Sequence, residues 1–298
     1  MARAPLVIVN PVAGGGRAAR AIESLAPPEA VVRITTRPGE AEELAAAAHG
    51  HDRVIAVGGD GTVQEVVNGL LAQPSPPALG LVPLGTGNDL ARSLGLPREP
   101  RAAWDVAADG DLRAIDVGRA VNGDGVGRWF ASAGGIGFDA QVAAAMAQRR
   151  GWQASRAGYL MTTLLELRRF ANCQLRVTVD DETFECAALF VAAANGAYYG
   201  GGMCIAPGAK VDDGRLDICV VGDISRRTAL RQLPNLYRGT HVGHPAVSMH
   251  AAARLRIDGA PETRIHLDGE PFGGLPLTVE VHPGALRVAS LPAEPARR

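Results

Sequence analysis

The sequence predicts an α/β N-terminal domain with a doubly wound parallel sheet, followed by a C-terminal domain that is an antiparallel β-sandwich. In the first third of the chain, apolar strand-like runs alternate with helix-like runs, as in parallel sheets with crossover helices. After about residue 115, most segments alternate apolar and polar residues between turns, as antiparallel strands do. We therefore expect domains at residues 1–117 and 118–285, with a segment at 286–298 that can return to the first domain.

The first domain is predicted to alternate strands with helices from its first residues. Each strand is a short, mostly apolar run, and these runs are residues 5–10, 30–36, 52–59 and 78–85. Each is followed by a segment with helical spacing of apolar residues or an alanine-rich composition: residues 16–26, 39–50, 62–73 and 88–95.

The second domain is predicted to be mostly β-structure with helices inserted. The strand-like segments, separated by Gly, Asp and Pro turns, are residues 113–121, 127–136, 173–195, 215–222, 252–271 and 276–290. The helical segments are residues 139–150, 155–170 and 225–239, and we expect Pro234 to interrupt the last of them.

The composition excludes some classes of partner. The chain has 298 residues, a formal net charge of −1 and 47% hydrophobic residues, so it can bury a sizeable core but has no general attraction for nucleic acid. We expect no nucleic-acid partner. The four cysteines form no C-x-x-C pair, and the apolar run before Asn10-Pro11 is too short for a signal peptide or a membrane span. These features predict a cytoplasmic protein.

Unusual residues follow three of the predicted strands. Asn10-Pro11 ends the first, Gly58 to Thr62 ends the third, and Gly85 to Asp89 ends the fourth. Because ligands of such sheets bind beyond the carboxyl ends of parallel strands, we expect these segments to meet at one edge of the sheet. A turn explains each segment singly but not their coincidence.

The segment GGDGT, Gly58 to Thr62, has two interpretations. It is either a tight strand-to-helix turn or a cradle for phosphate, because glycines let a polyphosphate approach the backbone closely. Asp60 would repel a bare phosphate, so its presence suggests a cation or a water relay between them. We expect Thr62 to cap the following helix with Glu65 at the capping-box position. We also expect the turn to depend on glycine geometry, so that Asp60→Asn keeps the fold.

The segment GTGND repeats this design. Gly85 and Gly87 open a turn, Thr86 and Asn88 offer neutral hydrogen-bonding groups, and Asp89 either caps a helix or reaches a metal ion. The glycine run at residues 14–16 forms only a weak dinucleotide fingerprint, which occurs again at Gly135, and the chain contains no P-loop motif. Two acids beside two glycine turns indicate metal-assisted phosphoryl transfer.

The blocks VNPVAGGGRA, VGGDGTVQEVVNGL and GLVPLGTGNDLAR resemble three successive blocks of the diacylglycerol kinase-like lipid kinases. The resemblance continues in family order through IDVGRA, APGAKVDDGRLDICVV and HLDGEPF, and so covers nearly the whole chain. It implies an NAD kinase-like α/β nucleotide domain, a β-sandwich domain, and an active site in the cleft between them.

The resemblance also implies roles for particular residues. Those that match ATP-contacting positions are Asn10, Thr36, Gly58, Gly59, Asp60, Gly61, Thr62, Gly85, Thr86 and Asn88. Acids that match catalytic positions near magnesium and the phosphoryl acceptor are Asp60, Asp89, Asp116, Asp268 and Glu270. Asp213, with the carbonyls of Lys210 and Arg215, matches a magnesium site, and the resemblance leaves open whether Asp213 serves the active site, a structural ion or both.

Asp268 and Glu270 also allow a simpler interpretation. Asp-Gly is a strong hairpin signal, so Asp268-Gly269 read alone is a turn. The resemblance instead favours a general base at one of the two acids, with the other in support, and does not choose between them.

Two weaker sets complete the candidates. Family members place basic residues at a membrane face, and these are not evident here as lysines. The candidate substitutes are Arg17, Arg149, Arg150 and Arg156, although the sequence favours a solvated helix face for each of them. His241 and His244 have the spacing of a metal pair, but Pro245 and the missing third ligand favour a loop.

The sequence therefore predicts an ATP- and Mg²⁺-dependent lipid kinase that most favours diacylglycerol. The alternatives are a sphingoid or phosphatidylglycerol kinase of the same family, an NAD kinase-type enzyme, and a nucleotide-binding regulatory module without turnover. The expected partner is a membrane lipid, met by transient contact of a cytoplasmic protein with the inner membrane face. A homodimer is compatible with the sequence, which does not give the oligomeric state.

Overall fold

The computed structural model of the chain describes residues 3–147 and 156–292. The described residues form two compact units: unit 1 contains those up to Ile115 and from Gly284 onward, and unit 2 is Asp116–Pro283. Arg149 and Arg150 lie outside the described residues, as does the side chain of Arg156. In the part of the chain that is described, no helix has both the length and the apolar composition needed to cross a membrane.

Unit 1 alternates strands and helices. In chain order they are β1 (Leu6–Val9), α1 (Ala13–Leu25), β2 (Val31–Ile34), α2 (Glu40–Ala46), β3 (Arg53–Gly58), α3 (Asp60–Leu71), β4 (Ala78–Pro83), α4 (Asp89–Ser93) and α5 (Pro100–Asp109). The strands pair in parallel in the order β2-β1-β3-β4. The predicted doubly wound parallel sheet is therefore confirmed, and the ends of β1, β3 and β4 lie at one edge of it.

The chain passes into unit 2 within β5 and returns within β17. The elements are β5 (Asp111–Asn122), β6 (Gly127–Phe130), β7 (Ala133–Gly137), α6 (Phe138–Ala147), α7 (Arg156–Leu167), β8 (Cys173–Val179), β9 (Glu182–Ala194), β10 (Tyr198–Tyr199), β11 (Met203–Cys204), β12 (Leu216–Gly222), α8 (Arg226–Arg238), a 3-10 helix (Thr240–Gly243), β13 (Val247–Ala252), β14 (Arg254–Gly259), β15 (Arg264–Leu267), β16 (Glu270–Gly274) and β17 (Leu277–Ser290). At its far end β17 pairs in parallel with β4 in unit 1, through Val288 and Leu79.

Strand β9 shows why unit 2 needs two apolar cores. Along β9, Val191 and Ala193 belong to one core, and Phe190 and Ala192 belong to the other. Because successive side chains of a strand point to opposite faces, β9 is buried on both. The second core also contains side chains of α6, α7 and α8, such as Val142, so helices cover that face of the antiparallel strands.

Helix α8 differs from its prediction. We expected Pro234 to interrupt it, but α8 runs unbroken from Arg226 to Arg238 with Pro234 inside. Pro234 is exposed, and so is Leu230, whose carbonyl loses its helical donor. Water can satisfy that carbonyl on the exposed side, which makes proline tolerable there.

Candidate active site

The ends of β1 and β3 are joined by side-chain contacts. The Asn10 amide donates a hydrogen bond to the Thr62 hydroxyl over 3.1 Å, and the Asn10 backbone N–H donates to the Val57 carbonyl. A Cβ at Gly58 would lie 2.5 Å from the same Thr62 hydroxyl. Glycine at position 58 is therefore required for Thr62 to reach Asn10.

The loops after β3 and β4 approach each other through glycines. A Cβ on Gly85 would lie 2.5 Å from the Cα of Gly59, a distance that no real side chain tolerates. The Asn88 side chain closes the second loop, because its oxygen accepts from the Gly85 N–H and its amide donates to the Gly85 carbonyl, both over 2.9 Å. These glycines thus serve loop packing, whatever they do for a ligand.

The Asp60 carboxylate connects the two loops. One oxygen accepts the Asn88 N–H over 2.8 Å and the other accepts the Asp89 N–H over 2.6 Å, at the start of α4. Our expectation that this turn depends on glycine geometry alone was therefore incomplete, since both Asp60 oxygens hold the neighbouring loop.

The predicted capping box at the start of α3 was wrong. Helix α3 begins at Asp60, its N-cap residue is Gly59, and no side chain caps it. Glu65 instead accepts hydrogen bonds from the N–H groups of Gly39 and Ala41 at the start of α2, over 2.9 and 3.1 Å. Helix α3, in which Gly61 lies in the first turn, thus presents an N-terminus without a side-chain cap at the sheet edge, and such N-termini attract anions.

The remaining nucleotide candidates lie at the same edge. Thr36 follows β2, and both its N–H and its hydroxyl donate to one Glu40 oxygen, over 2.5 and 2.8 Å. These hydrogen bonds lower the pKa of the Glu40 carboxyl, so that it stays ionised. Thr86 is exposed in the loop after β4, whereas Asp89 is buried in the first turn of α4.

In unit 2, the HLDGEPF segment forms a hairpin. Asp268 and Gly269 have φ of 49° and 91°, and they connect Leu267 of β15 to its partner Glu270 of β16. Two positive φ values in a two-residue loop define a type I′ turn, for which Asp-Gly is favoured. The hairpin interpretation is therefore confirmed.

The two acids of this hairpin are in different environments. The Asp268 carboxylate accepts the N–H groups of Ala131, Ser132 and Ala133, each over 2.9 Å. The Glu270 side chain is exposed, and its carboxylate forms no hydrogen bond or ion pair with any described residue. Asp268 therefore holds the loop before β7, and Glu270 keeps both oxygens available.

Asp116 lies beside the loop that contains Asp213. Its carboxylate accepts the Gly214 N–H over 2.6 Å, and its own N–H donates to the Val211 carbonyl. The buried amide of Asn195 donates both to the Asp116 carbonyl and to the Ala131 carbonyl, over 2.7 and 2.9 Å. Asn195 thus connects Asp116 to the segment that Asp268 holds.

Asp213, Lys210 and Arg215 are exposed around a turn. One Asp213 oxygen accepts the Arg215 N–H over 3.1 Å. Burial raises the pKa of the nearby Asp217 carboxyl, and the charge of Asp213 raises it further. Among the described residues, no three His, Cys, Asp or Glu side chains cluster as a metal site, so a cation at Asp213 needs backbone, water or phosphate oxygens as well.

A buried network lies behind the hairpin. The Gly269 N–H donates to His266 Nδ1 over 3.2 Å, so Nε2 carries the ring hydrogen and faces an Asp139 oxygen at 3.3 Å. The Tyr199 hydroxyl lies 3.4 Å from the same oxygen, and its ring stacks on that of His266. A Cβ at Gly135 would lie 1.9 Å from that oxygen, so this glycine makes room for the network.

Asp139 also lines an apolar cavity of about 70 Å³ inside unit 2. The side chains around it come from α6, α7, α8 and the strands beneath, and include Val142, Leu167, Phe190, Met203, Leu233 and Leu236. The cavity therefore has an apolar wall and, at Asp139, a carboxylate connected to the hairpin.

His241 and His244 are not arranged as a metal pair. His241 is buried with Nε2 3.2 Å from the Ile205 carbonyl and 3.9 Å from Cys219 Sγ, whereas His244 Nδ1 accepts the Ala246 N–H. Burial lowers the pKa of His241 and raises that of Cys219 to about 12, so both side chains are neutral near pH 7.

Asn195, Asp139 and His266 were not among the residues predicted from the sequence. His266 stands inside the segment already chosen for its acids, and Asn195 ends the apolar run FVAAAN. A buried strand that ends in a side-chain amide could have indicated a residue that hydrogen-bonds neighbouring segments. Asp139 had none, because its importance depends on a cavity and a distant histidine.

Comparison with known proteins agrees with these features. Residues 4–120 match the family model described as diacylglycerol kinase catalytic domain, and residues 132–290 match the YegS C-terminal NAD kinase beta sandwich-like domain. A Mycobacterium tuberculosis protein named diacylglycerol kinase is 34% identical over 94% of this chain and 93% of its own length. A Pseudomonas aeruginosa protein named "Probable lipid kinase YegS-like" is 36% identical over 93% of this chain and 89% of its own.

The fold gives the same result. The solved structure of a Bacillus anthracis diacylglycerol kinase superposes with a TM-score of 0.75 and 25% identity, covering 98% of both chains. The predicted pairing of an α/β domain with a β-sandwich domain is thereby confirmed. The chain belongs to the diacylglycerol kinase-like family of lipid kinases.

Proposed function

We propose that this lipid kinase transfers the γ-phosphoryl group of ATP to a hydroxyl of a membrane lipid, with diacylglycerol as the preferred acceptor and Mg²⁺ as the cofactor. The observation that carries the proposal is the apolar cavity of unit 2, whose wall contains Asp139, connected through His266 to the hairpin that carries Glu270. An apolar cavity of this size suits part of an acyl chain and does not suit a soluble dinucleotide.

Unit 1 supplies the features expected of a nucleotide site. The N-terminus of α3 lacks a side-chain cap, and the loops that contain Gly59 and Gly85 approach each other closely there. Backbone N–H groups at such a helix end bind phosphate oxygens. We assign the nucleotide phosphates to this edge, with Asn10 and Thr62 beside them.

On the acceptor side, we assign the general base to Glu270. A base needs an oxygen that is free to accept a proton from the lipid hydroxyl, and the Asp268 oxygens are already hydrogen-bonded to three N–H groups. Asp268 then fixes the hairpin, and His266 fixes Gly269 from behind. This assignment chooses between the two acids that the sequence left equivalent.

The exposed Asp213 turn fits Mg²⁺ by the chemistry of its donors. Mg²⁺ prefers oxygen ligands and commonly uses one or two carboxylates together with water or phosphate. Asp213 and the carbonyls of Lys210 and Arg215 offer such oxygens. The pKa of Asp217 is raised by burial and then by the charge of Asp213, and a cation would offset the second of these. Bound Mg²⁺ would supply positive charge. If Asp213 holds it, Mg²⁺ raises the melting temperature of the wild type but not that of Asp213→Ala.

The test of function measures ADP release and the phosphorylated lipid together. Purified protein is incubated with ATP and Mg²⁺ and, separately, with diacylglycerol micelles, sphingosine, phosphatidylglycerol and NAD. We expect phosphatidic acid from diacylglycerol, formed at least about a hundredfold more slowly by Glu270→Gln. Turnover with NAD alone would establish the NAD kinase alternative, and no turnover with any acceptor would favour a regulatory nucleotide-binding module.

The cavity is tested with Ala229→Phe, because Ala229 is a buried residue of its wall. A larger side chain there should raise KM for long-chain diacylglycerol while KM for ATP stays unchanged. If the variant and the wild type have the same KM for long-chain diacylglycerol, as they should for short-chain diacylglycerol, the cavity does not bind the acyl chain.

A further inference from the structure

Helix α8 has an unusual outward face. Leu230 and Tyr237 are 45% and 44% exposed, although both are large and apolar or aromatic. Exposed arginines, Arg227, Arg231 and Arg238, stand beside them at helical spacing. The face therefore combines cations with exposed apolar side chains and contains no acid.

The positive charge of this face is not neutralised locally. Residues 224–257 contain no aspartate or glutamate, although the whole chain has a net charge of −1. Asp223, just before α8, is hydrogen-bonded by the Asn172 side chain. Arg227 and Arg231 form no ion pair with any residue that the structure describes, so their charges are available to a partner.

The inward face of α8 has the opposite character. Ala229, Leu233 and Leu236 line the apolar cavity described above. One helix thus walls the cavity on one side, where the partly exposed Tyr237 also belongs, and presents arginines with the exposed Leu230 on the other. Helices that lie in a membrane interface have this composition, with arginine at the headgroups and apolar side chains at the acyl boundary.

We propose that the outward face of α8 is the docking surface of this protein for an anionic lipid bilayer. The arginines bind headgroup phosphates, and Leu230 enters the interface between them. The inference rests on the proposed function, because a lipid kinase must meet its acceptor at a membrane. It adds a second basic surface to the untested candidates Arg17, Arg149, Arg150 and Arg156 of the sequence.

The test is co-sedimentation of the full chain with vesicles of phosphatidylcholine, alone or mixed with phosphatidylglycerol. We expect binding to the mixed vesicles that high salt weakens. Arg227→Gln with Arg231→Gln should weaken it about thirtyfold, because each arginine near an anionic surface is worth about fivefold. Leu230→Gln should weaken it about tenfold through lost apolar burial. The matched control is Arg33→Gln with Arg98→Gln, two exposed arginines of unit 1, which should bind as wild type does.

A second measurement separates failure of this inference from failure of the proposed function. Turnover with monomeric short-chain diacylglycerol needs no bilayer, so the α8 double variant should keep it while losing turnover on mixed vesicles. Equal vesicle binding by the α8 and control variants overturns the docking surface even if the enzyme phosphorylates diacylglycerol. Binding by neither variant nor wild type also overturns it, and would favour an acidic protein as the partner of α8.

Discussion

At the scale of single residues, the acids that the sequence marks as catalytic serve largely as acceptors for backbone N–H groups. Asp60, Asp116 and Asp268 each hold a neighbouring loop by hydrogen bonds of 2.6 to 2.9 Å. The sequence predicted that these residues matter, but not that they also build the site. An Asp in a glycine-rich turn looks the same whether it accepts N–H groups or faces a ligand.

Asp60→Asn is expected to lose stability as well as activity. Both Asp60 oxygens accept N–H groups from the loop after β4, so an amide would place its NH₂ against one of them. Hydrogen bonds to a charged group are worth about 1.5–3 kcal/mol, and we expect a loss of about 2 kcal/mol in urea unfolding. An unchanged unfolding free energy would show that glycine geometry alone sets the turn.

Asp268→Asn should mainly lower the unfolding free energy, whereas Glu270→Gln should mainly lower the turnover number. Asp268→Asn should cost about 2 kcal/mol of unfolding free energy, because its carboxylate accepts three N–H groups. Glu270→Gln should stay within about 0.5 kcal/mol of wild type, as exposed substitutions do. Its turnover number should fall at least about a hundredfold, while the Kd for ATP, measured by calorimetry, stays unchanged. A stable, fully active Glu270→Gln would return the general base to Asp268.

At the scale of elements, the sequence predicted strands and helices well where the residues of the element itself determine its secondary structure. Apolar runs buried along their length, such as β1 and β3, were evident. The errors occurred where the tertiary structure, through a distant partner or through exposure, determines what a residue does. Glu65 fits a capping box locally, but α2 supplies the N–H groups that it accepts. Pro234 reads as a helix breaker, but its exposed position makes it tolerable.

The close approach of the loops after β3 and β4 gives a prediction at this scale. In Gly85→Ala, the new Cβ would meet the Gly59 backbone at 2.5 Å, and backbone cannot rotate away as a side chain can. We expect a loss of about 1–3 kcal/mol in unfolding free energy, together with a weaker Kd for ATP in calorimetry. Gly243→Ala, whose Cβ meets nothing within 4 Å, is the control and should change neither quantity. If both variants bind ATP with the same Kd, the contact between Gly85 and Gly59 does not shape the nucleotide site.

At the scale of the whole molecule, the sequence predicted the fold class but not the long-range pairings on which the candidate site depends. The Asn195 side chain reaches both Asp116 and Ala131, and His266 reaches Asp139, across separations that no local pattern encodes. The sequence allowed the C-terminal segment to return to the first domain, but it did not predict the pairing of the last strand with β4 through Leu79 and Val288. The family order of the motifs implied that these segments act together. The structure shows the hydrogen bonds that connect the segments within each unit.

Stability of the molecule toward acid should depend on His241. Burial lowers the pKa of His241 in the folded protein below its ordinary value of 6.5, so the unfolded chain takes up this proton more readily than the folded one. The contribution of the neutral ring is complete above the unfolded pKa. It is lost as pH falls below 6.5 toward the lower folded value, with a slope of at most about 1.4 kcal/mol per pH unit for one proton. Urea unfolding from about pH 7.5 to about pH 5 should therefore show a steeper loss for wild type than for His241→Gln.

The matched control is His49→Gln, because His49 is exposed and its replacement should leave the wild-type pH slope unchanged. The His241 side chain lies against the Ile205 carbonyl and Cys219 Sγ, and glutamine can still donate to that carbonyl. A loss of stability at all pH values in His241→Gln would report only altered packing. If the two variants keep the same slope as wild type, protonation of His241 does not limit stability in acid, and other carboxylates or histidines must account for it.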